Sequence, residues 1–171
     1  MTGQWNSDDG VTGDLASMRR YARVLARDDQ DADDVGQDAL VRAIERHSTF
    51  HAGRSRRRWL LAIVHNVFIS GTRRKAAEAR RDTDFADTLV AHSDAPQEHH
   101  ARLSEIALRF AALPEHHRAV LHLTAIEGLS YQQCAELLDV PVGTIMSRLA
   151  RARASLRRQE EERPETKGLR I

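Results

Sequence analysis

Apolar residues recur at helical intervals along most of the chain, whereas the strict alternation that marks a half-buried strand is absent. Glycine and proline fall mainly between the periodic segments, where they favour turns. The pattern predicts helices at about residues 14–27, 31–47, 57–81, 98–111, 115–126, 131–138 and 142–159, with Asp31 as the cap of the second. We therefore expect an all-α fold.

The predicted helices fall into two groups, which indicates two small helical domains, residues 14–82 and 98–158. Residues 83–97 have weak periodicity and include Pro96, so we expect a flexible acidic linker there. Residues 1–13 are polar and contain glycine, which is typical of a disordered tail. Residues 159–171 form a charged tail in this interpretation.

Residues 128–158, GLSYQQCAELLDVPVGTIMSRLARARASLRR, have the form of a helix-turn-helix. Ser130 can cap a short helix, and the segment 139–141, Asp-Val-Pro, breaks it. In the longer second helix one narrow apolar stripe is expected to pack; it comprises Ile145, Leu149, Ala152 and Leu156. Ser147, Ala150, Arg151 and Ala154 point the opposite way. Small residues around an arginine suit the major groove of DNA, because bulk there would clash.

The formal net charge of +1 conceals two basic blocks that alternate with acidic ones. Residues 54–81 carry nine basic side chains and one acidic, and residues 139–171 carry eight and five. A charge run is usually a solvated helix face. Two basic blocks, one of them inside a helix-turn-helix, favour a nucleic-acid partner instead.

Several other classes of protein find little support in the sequence. The single cysteine, Cys134, excludes an internal disulfide, and the chain has neither a signal-peptide pattern nor an apolar run of membrane-spanning length. We therefore expect a cytoplasmic protein without membrane contact of its own. No glycine-rich phosphate loop, nucleophile–base pair or zinc-ligand spacing stands out among the residues. We expect no enzymatic activity, no cofactor and no metal site, and interpret the nine histidines as solvated.

Two surfaces of the first predicted domain are candidates for binding. The second helix presents a polar face that is either solvated surface or a docking face; it comprises Asp34, Gln37, Asp38, Val41 and Glu45. The third helix places Asn66 and Arg73 opposite its packed side, which suits contact with base edges and phosphates. Phe50 precedes a basic loop at residues 54–58, a plausible place to hold an unstacked base.

Three segments carry a resemblance to a known family. They read DADDVGQDALVRAIERHSTF, then GRSRRRWLLAIVHNVFISGTRR, then LPEHHRAVLHLTAIEGLSYQQCAELLDVPVGTIMSRLARARASLRR. In this order and spacing they resemble bacterial RNA polymerase sigma factors of the extracytoplasmic-function (ECF) group, over about residues 15–158. The resemblance implies a transcription initiation factor that binds core RNA polymerase and directs it to −35 and −10 promoter elements.

The resemblance also implies roles for individual residues. Contact with the β′ clamp helices of the polymerase would fall to Asp34, Gln37, Asp38 and Val41. Recognition and melting of the −10 element would involve Phe50, Arg54, Arg56, Asn66, Arg73 and Arg74. Contact with the −35 element would involve Tyr131, Gln132, Thr144, Ser147, Arg148, Arg151 and Arg153. Further expected partners are the β flap of the polymerase, promoter DNA and an anti-sigma factor.

Two alternatives remain open from the sequence. One is a free-standing helix-turn-helix regulator with a sensing or dimerising first half. The other is an adaptor that mimics a sigma factor and sequesters an anti-sigma factor, although such proteins usually add a phosphoacceptor domain.

Overall fold

A computed structural model describes residues 8–51, 53–81 and 98–161, and its elements in these ranges are all helices. The α-helices are α1 (Asp8–Leu25), α2 (Asp29–Glu45), α3 (Arg56–Arg81), α4 (Glu98–Ala111), α5 (Glu115–Ala125), α6 (Tyr131–Leu138) and α7 (Val142–Glu161). A short 3₁₀ turn at His47–Thr49 follows α2. The predicted all-α class is confirmed.

Helices α1, α2 and α3 pack against one another and form a first bundle. We expected a disordered tail through residue 13. This was wrong for residues 8–13, because α1 already begins at Asp8. Val11 and Leu15 line a shallow apolar pocket with Met18, so the apolar stripe of α1 extends one turn further back than expected. Residues 1–7 lie outside the described ranges.

The N-cap of helix α2 lies three residues before the expected one, Asp31. The N-cap is Asp28, whose carboxylate accepts a hydrogen bond of 2.7 Å from the backbone N–H of Asp31. Asp31 therefore lies in the first turn, where its negative charge complements the helix dipole, and not at the cap.

Helices α5, α6 and α7 pack together in a second bundle, with α4 against α7. Ser130 caps α6 as predicted: its side-chain oxygen accepts from the backbone N–H of Gln133, and its own backbone N–H donates to the side-chain oxygen of Gln133. The helix ends at Leu138, and its C-cap Asp139 adopts a left-handed conformation with φ of 52°. This turn sets the start of α7 and completes the helix-turn-helix.

The two bundles pack directly on each other, α1 against α5 and α3 against α6. Their buried side chains form one contiguous cluster, in which Leu61 and Val64 of the first bundle join Leu123 and Cys134 of the second. The predicted linker at residues 83–97 lies outside the described residues, as does the tail beyond residue 161. In the described ranges, no helix combines the length and apolar character needed to cross a bilayer.

Candidate nucleic-acid interface

Helix α7 has the two opposite faces that its sequence predicts. Ile145, Leu149 and Ala152 are almost fully buried against α5 and α6. Ser147 and Arg151 are exposed on the other side, with Ala150 between them. Because small residues flank Arg151, this side of α7 could approach a groove of DNA closely.

Helix α3 presents a second polar face. Leu60, Val64 and Val67 are buried in the first bundle, whereas Asn66 and Arg73 are exposed about two turns apart. The packed and outward sides of α3 are therefore those predicted. An outward amide and guanidinium can hydrogen-bond to base edges and phosphates.

These two faces meet across a cleft of about 730 Å³ between the bundles. The cleft brings together six of the residues predicted to bind DNA: Asn66, Arg73, Thr144, Ser147, Arg148 and Arg151. His65, His116 and His117 also line it, and Glu115 and Asp139 are its acidic members. The cleft therefore has a basic lining.

The other residues predicted to bind at the −10 element lie outside this cleft. Phe50 packs its ring against Trp59, with centroids 5.5 Å apart and the planes tilted by 55°. Arg54 is exposed. Arg56 is largely covered and pairs with the buried carboxylate of Asp14, which attaches the start of α3 to α1.

Three residues predicted to bind at the −35 element are exposed outside the cleft, namely Tyr131, Gln132 and Arg153. Arg74, predicted to bind at the −10 element, is also exposed and lies 4.0 Å from Glu78, one turn further along α3. All four side chains are accessible to a partner.

The predicted docking face of α2 is also accessible. Asp34, Gln37 and Asp38 are exposed, and Val41 is 54% exposed. The neighbouring Ile44 is 65% exposed, so apolar surface accompanies the acidic residues. A mixed acidic and apolar surface of this kind suits a protein partner better than DNA.

The residues that join the bundles were not predicted from the sequence. Arg118 of α5 is buried, and its guanidinium donates hydrogen bonds to four carbonyl oxygens. Two belong to Val24 and Leu25 at the end of α1, at 2.6 and 2.8 Å, and two to Ala111 and Leu113 at the end of α4. Arg118 thereby caps two helices from different bundles.

Glu127 lies at the same joint, with a side chain only 1% exposed. Its carboxylate lies 3.3 Å from His122 Nε2, 3.6 Å from Arg20 and 4.0 Å from Arg57. The shortest of these contacts, to His122, is long, and neither carboxylate oxygen accepts a well-aligned hydrogen bond from the described residues. The negative charge therefore faces arginines from the first bundle without close hydrogen bonds. We call Arg20, Arg57, Arg118, His122 and Glu127 the interdomain joint.

Two histidines at the contact between the bundles are not solvated, contrary to the prediction. His122 is buried, and burial lowers its pKa, although the nearby Glu127 opposes the shift. Burial also lowers the pKa of His65 to about 4, with a smaller contribution from the positive charge of Arg148. Both imidazoles are therefore neutral near pH 7. In the described part of the chain no cluster of histidine, cysteine and acidic residues could hold a metal ion.

Two family models match the chain, one in each bundle. Residues 103–156 match the model described as "Sigma-70, region 4", and residues 11–65 match "Sigma2 domain of PhyR". The chain is 33% identical over 149 residues to the ECF RNA polymerase sigma factor EcfG of Rhodopseudomonas palustris, covering 86% of this chain and 81% of the relative. It is 31% identical to the ECF sigma factor SigW of Bacillus subtilis, covering 75% of each.

Solved structures agree with these relatives. The sigma factor RpoE of Bartonella quintana, determined in complex with the anti-sigma factor NepR, matches with a TM-score of 0.75 and 26% identity over 91% of this chain and 97% of that one. CnrH in complex with the cytosolic domain of CnrY matches with a TM-score of 0.59 and 27% identity over 90% and 86%.

The fold, the helix-turn-helix and the basic faces are together those of a two-part transcription factor. The chain belongs to the ECF RNA polymerase sigma factors. It is an alternative sigma factor that directs RNA polymerase to promoters, and a free-standing regulator is not favoured. Its homologues are transcription factors and not enzymes.

Proposed function

We propose that each bundle acts as one domain of the sigma factor, the first at the −10 element and the second at the −35 element. The main support for assigning the second bundle to the −35 element is the outward side of α7. Packing of Ile145 and Leu149 leaves Ser147 and Arg151 exposed one turn apart on a helix with small neighbours. That arrangement suits insertion into the major groove.

In this proposal Arg151 is the main residue that discriminates bases, because its guanidinium can pair with both acceptors of guanine. Ser147 lies beside it, and Thr144 and Arg148 are half-exposed on the same cleft. Tyr131, Gln132 and Arg153 hold the backbone of the DNA. These contacts position the helix but do not distinguish sequences.

The first bundle opens the promoter in this proposal. Asn66 contacts an unpaired base of the −10 element beside the loop from Phe50 to Arg58, and Arg54, Arg56, Arg73 and Arg74 follow the backbone. Exposure of Asn66 and Arg73 on one face of α3 supports this assignment. Arg56 would have to release Asp14 to reach DNA, so its contribution is expected to be the smallest.

Core polymerase is proposed to dock on α2 through Asp34, Gln37, Asp38 and Val41. These side chains are accessible and combine negative charge with an apolar patch. The partner surfaces would be the β′ clamp helices, and the β flap for the second bundle. The chain itself would perform no catalysis, since the polymerase supplies the chemistry, and it would act in the cytoplasm where that enzyme works.

An anti-sigma protein is proposed as a further partner. One structural neighbour at more than 25% identity was determined in complex with the anti-sigma factor NepR, and a second, CnrH, in complex with the cytosolic domain of CnrY. Affinity purification of the full chain from its native cells should return a small protein that blocks its binding to core polymerase. Recovery of polymerase subunits alone, in cells where the factor is inactive, would contradict this part of the proposal.

The experiment that tests the proposed function is run-off transcription. Core polymerase and the full chain are incubated with fragmented genomic DNA, and the 5′ ends of the transcripts are sequenced. We expect discrete start sites preceded by two shared elements. A transcript pattern equal to that of core polymerase alone would contradict the proposal.

A further inference from the structure

Helix α1 carries a row of exposed arginines on its outer side. We call this row the arginine stripe, and it comprises Arg19, Arg20, Arg23 and Arg27. The first three fall within an arc of about 100° around the helix axis, on the side away from the buried Tyr21 and Leu25. Arg27 follows two residues after the end of α1. The stripe thus faces solvent along the second half of the helix.

Few carboxylates balance this positive charge. Asp14 is the single acidic residue between positions 11 and 27, and it is buried against the start of α3. None of the described carboxylates lies within ion-pair distance of Arg19 or Arg27. Arg23 lies 4.0 Å from Asp29, but both side chains are largely exposed, so this pair is weak. The stripe therefore carries more positive charge than its neighbours neutralise.

Stabilisation of α1 does not account for the whole stripe. A cation in the last turn of a helix interacts favourably with the helix dipole, which accounts for Arg23. The effect falls off within that turn, so Arg19 and Arg20 gain little from it. Burial lowers the pKa of Arg118, and the positive charge of Arg27 lowers it further, so this neighbour is repulsive. The stripe thus needs a partner outside the chain to explain it.

The stripe adjoins the basic loop proposed to meet the −10 element. Arg20 and Arg57 lie 3.6 and 4.0 Å from the carboxylate of Glu127, so their guanidinium groups are neighbours. Asp14 of α1 also contacts Arg57, at 3.4 Å, which keeps the start of α3 beside α1 within the first bundle. Positive surface therefore runs from the loop at residues 54–58 onto α1.

The chemistry of the stripe suits phosphates better than a protein surface. All four cations are arginines, whose planar guanidinium group can bind phosphate through two hydrogen bonds. Arg19 and Arg23 are separated by a rise of about 6 Å, so each can meet a separate phosphate, since charges repeat about every 3.4 Å along one DNA strand. The exposed large apolar side chain of α1, Leu15, lies instead in the pocket with Leu40 and Ile44. A protein interface would have such a side chain at its centre.

We propose that the arginine stripe of α1 is a further DNA-binding surface, which holds the phosphate backbone of the promoter beside the −10 element. The surface reads no bases, since backbone contacts position a protein without distinguishing sequences. It anchors the DNA while Asn66 and the basic loop act on the adjoining bases. The inference rests on the proposed function only in placing that loop at the −10 element.

The salt dependence of promoter binding tests this proposal. Holoenzyme is assembled from core polymerase and the full chain, and its dissociation constant is measured at several salt concentrations on a promoter fragment identified by run-off transcription. Arg19→Gln/Arg23→Gln removes two phosphate contacts, so the slope of log affinity against log salt should become shallower by about 1.4–1.8. The loss of affinity should be largest at low salt and narrow as the salt concentration rises.

Arg19→Lys/Arg23→Lys is the matched control. Lysine keeps the positive charge, and lysine, glutamine and arginine have similar helix propensities. The slope of this variant should equal that of the unchanged chain, and circular dichroism should show equal helical content in both variants. Equal slopes for Arg19→Gln/Arg23→Gln and the unchanged chain would overturn the proposal.

Binding to core polymerase is measured with the same variants and should not change. Loss of core affinity in Arg19→Gln/Arg23→Gln, with an unchanged salt slope on DNA, would assign the stripe to an acidic protein surface and overturn the proposal. Failure of the proposed function is recognised separately, as absence of promoter-specific transcripts with the unchanged chain.

Discussion

Tyr21 of α1 stacks on His122 of α5, with ring centroids 5.5 Å apart and the planes 13° from parallel. Its hydroxyl lies 3.2 Å from Nδ1 of His65 on α3. One buried tyrosine therefore contacts imidazoles from both bundles, at the place where the bundles meet. Both imidazoles are neutral in this environment, so protonation of either one would place a positive charge inside this buried contact.

The stability of the folded chain should fall as the pH decreases below about 6.5. The pKa of His65 is about 4 in the folded chain against 6.5 without burial, so the unfolded chain binds more protons in this interval. The stabilisation is complete above pH 6.5 and is lost as the pH falls toward 4. His122, whose pKa is also lowered, acts in the same direction. Between pH 7.5 and 5.5 the free energy of unfolding should fall by on the order of 1 kcal/mol through His65.

Urea unfolding at a series of pH values measures this change. His65→Gln retains an acceptor for the Tyr21 hydroxyl but does not titrate, so its stability should vary less over the same interval. An equal pH dependence in His65→Gln and the parent would show that other groups are responsible.

Reversal of charge at Asp38 should weaken binding to core polymerase. Asp38 is exposed on the proposed docking face of α2, whereas Asp29 is exposed on the opposite side of the same helix. In a competition assay Asp38→Arg should lose affinity by about tenfold or more, since like charges at an interface are repulsive. Asp29→Arg serves as the control, and equal effects of the two variants would remove Asp38 from the docking face.

Asn66→Ala should impair promoter opening without weakening core binding. The side chain of Asn66 is exposed and lies away from the side of α3 on which Val64 and Val67 are buried. Its removal should therefore leave the fold intact. Permanganate reactivity of thymines at the −10 element should decrease in the holoenzyme with Asn66→Ala. Thr72→Ala, on a different side of α3, should melt the promoter normally. Equal melting by Asn66→Ala would contradict the assignment.

The helices were largely predictable because local periodicity determines which side of each one packs. Ile145 and Leu149 identify the buried stripe of α7, and Ser130 identifies the start of α6. The start of α1 was placed too late because Gly10 and Gly13 suggested a tail. Glycine weakens a helix but does not prevent it when Val11 continues the apolar side.

The interdomain joint could not be predicted in the same way. Arg118 and Val24 are hydrogen-bonded although they are 94 residues apart in sequence. Periodicity within a helix carries no information about such a partner. Arg118 lies one turn before the buried His122 on α5, but a charged residue is usually exposed, so the local sequence gave no sign that Arg118 is buried.

The most direct test of the account is to sequence transcript 5′ ends from holoenzymes that contain Arg151→Ala. Arg157→Ala is the matched control, since Arg157 is exposed on a different side of α7. Loss of an arginine–guanine pair worth about 1–3 kcal/mol should reduce use of the preferred promoters by roughly one to two decades. The −35 motif should lose its preference at one base pair with Arg151→Ala and remain intact with Arg157→Ala. An unchanged −35 motif in the Arg151→Ala transcripts would show that α7 does not read promoter bases through this residue.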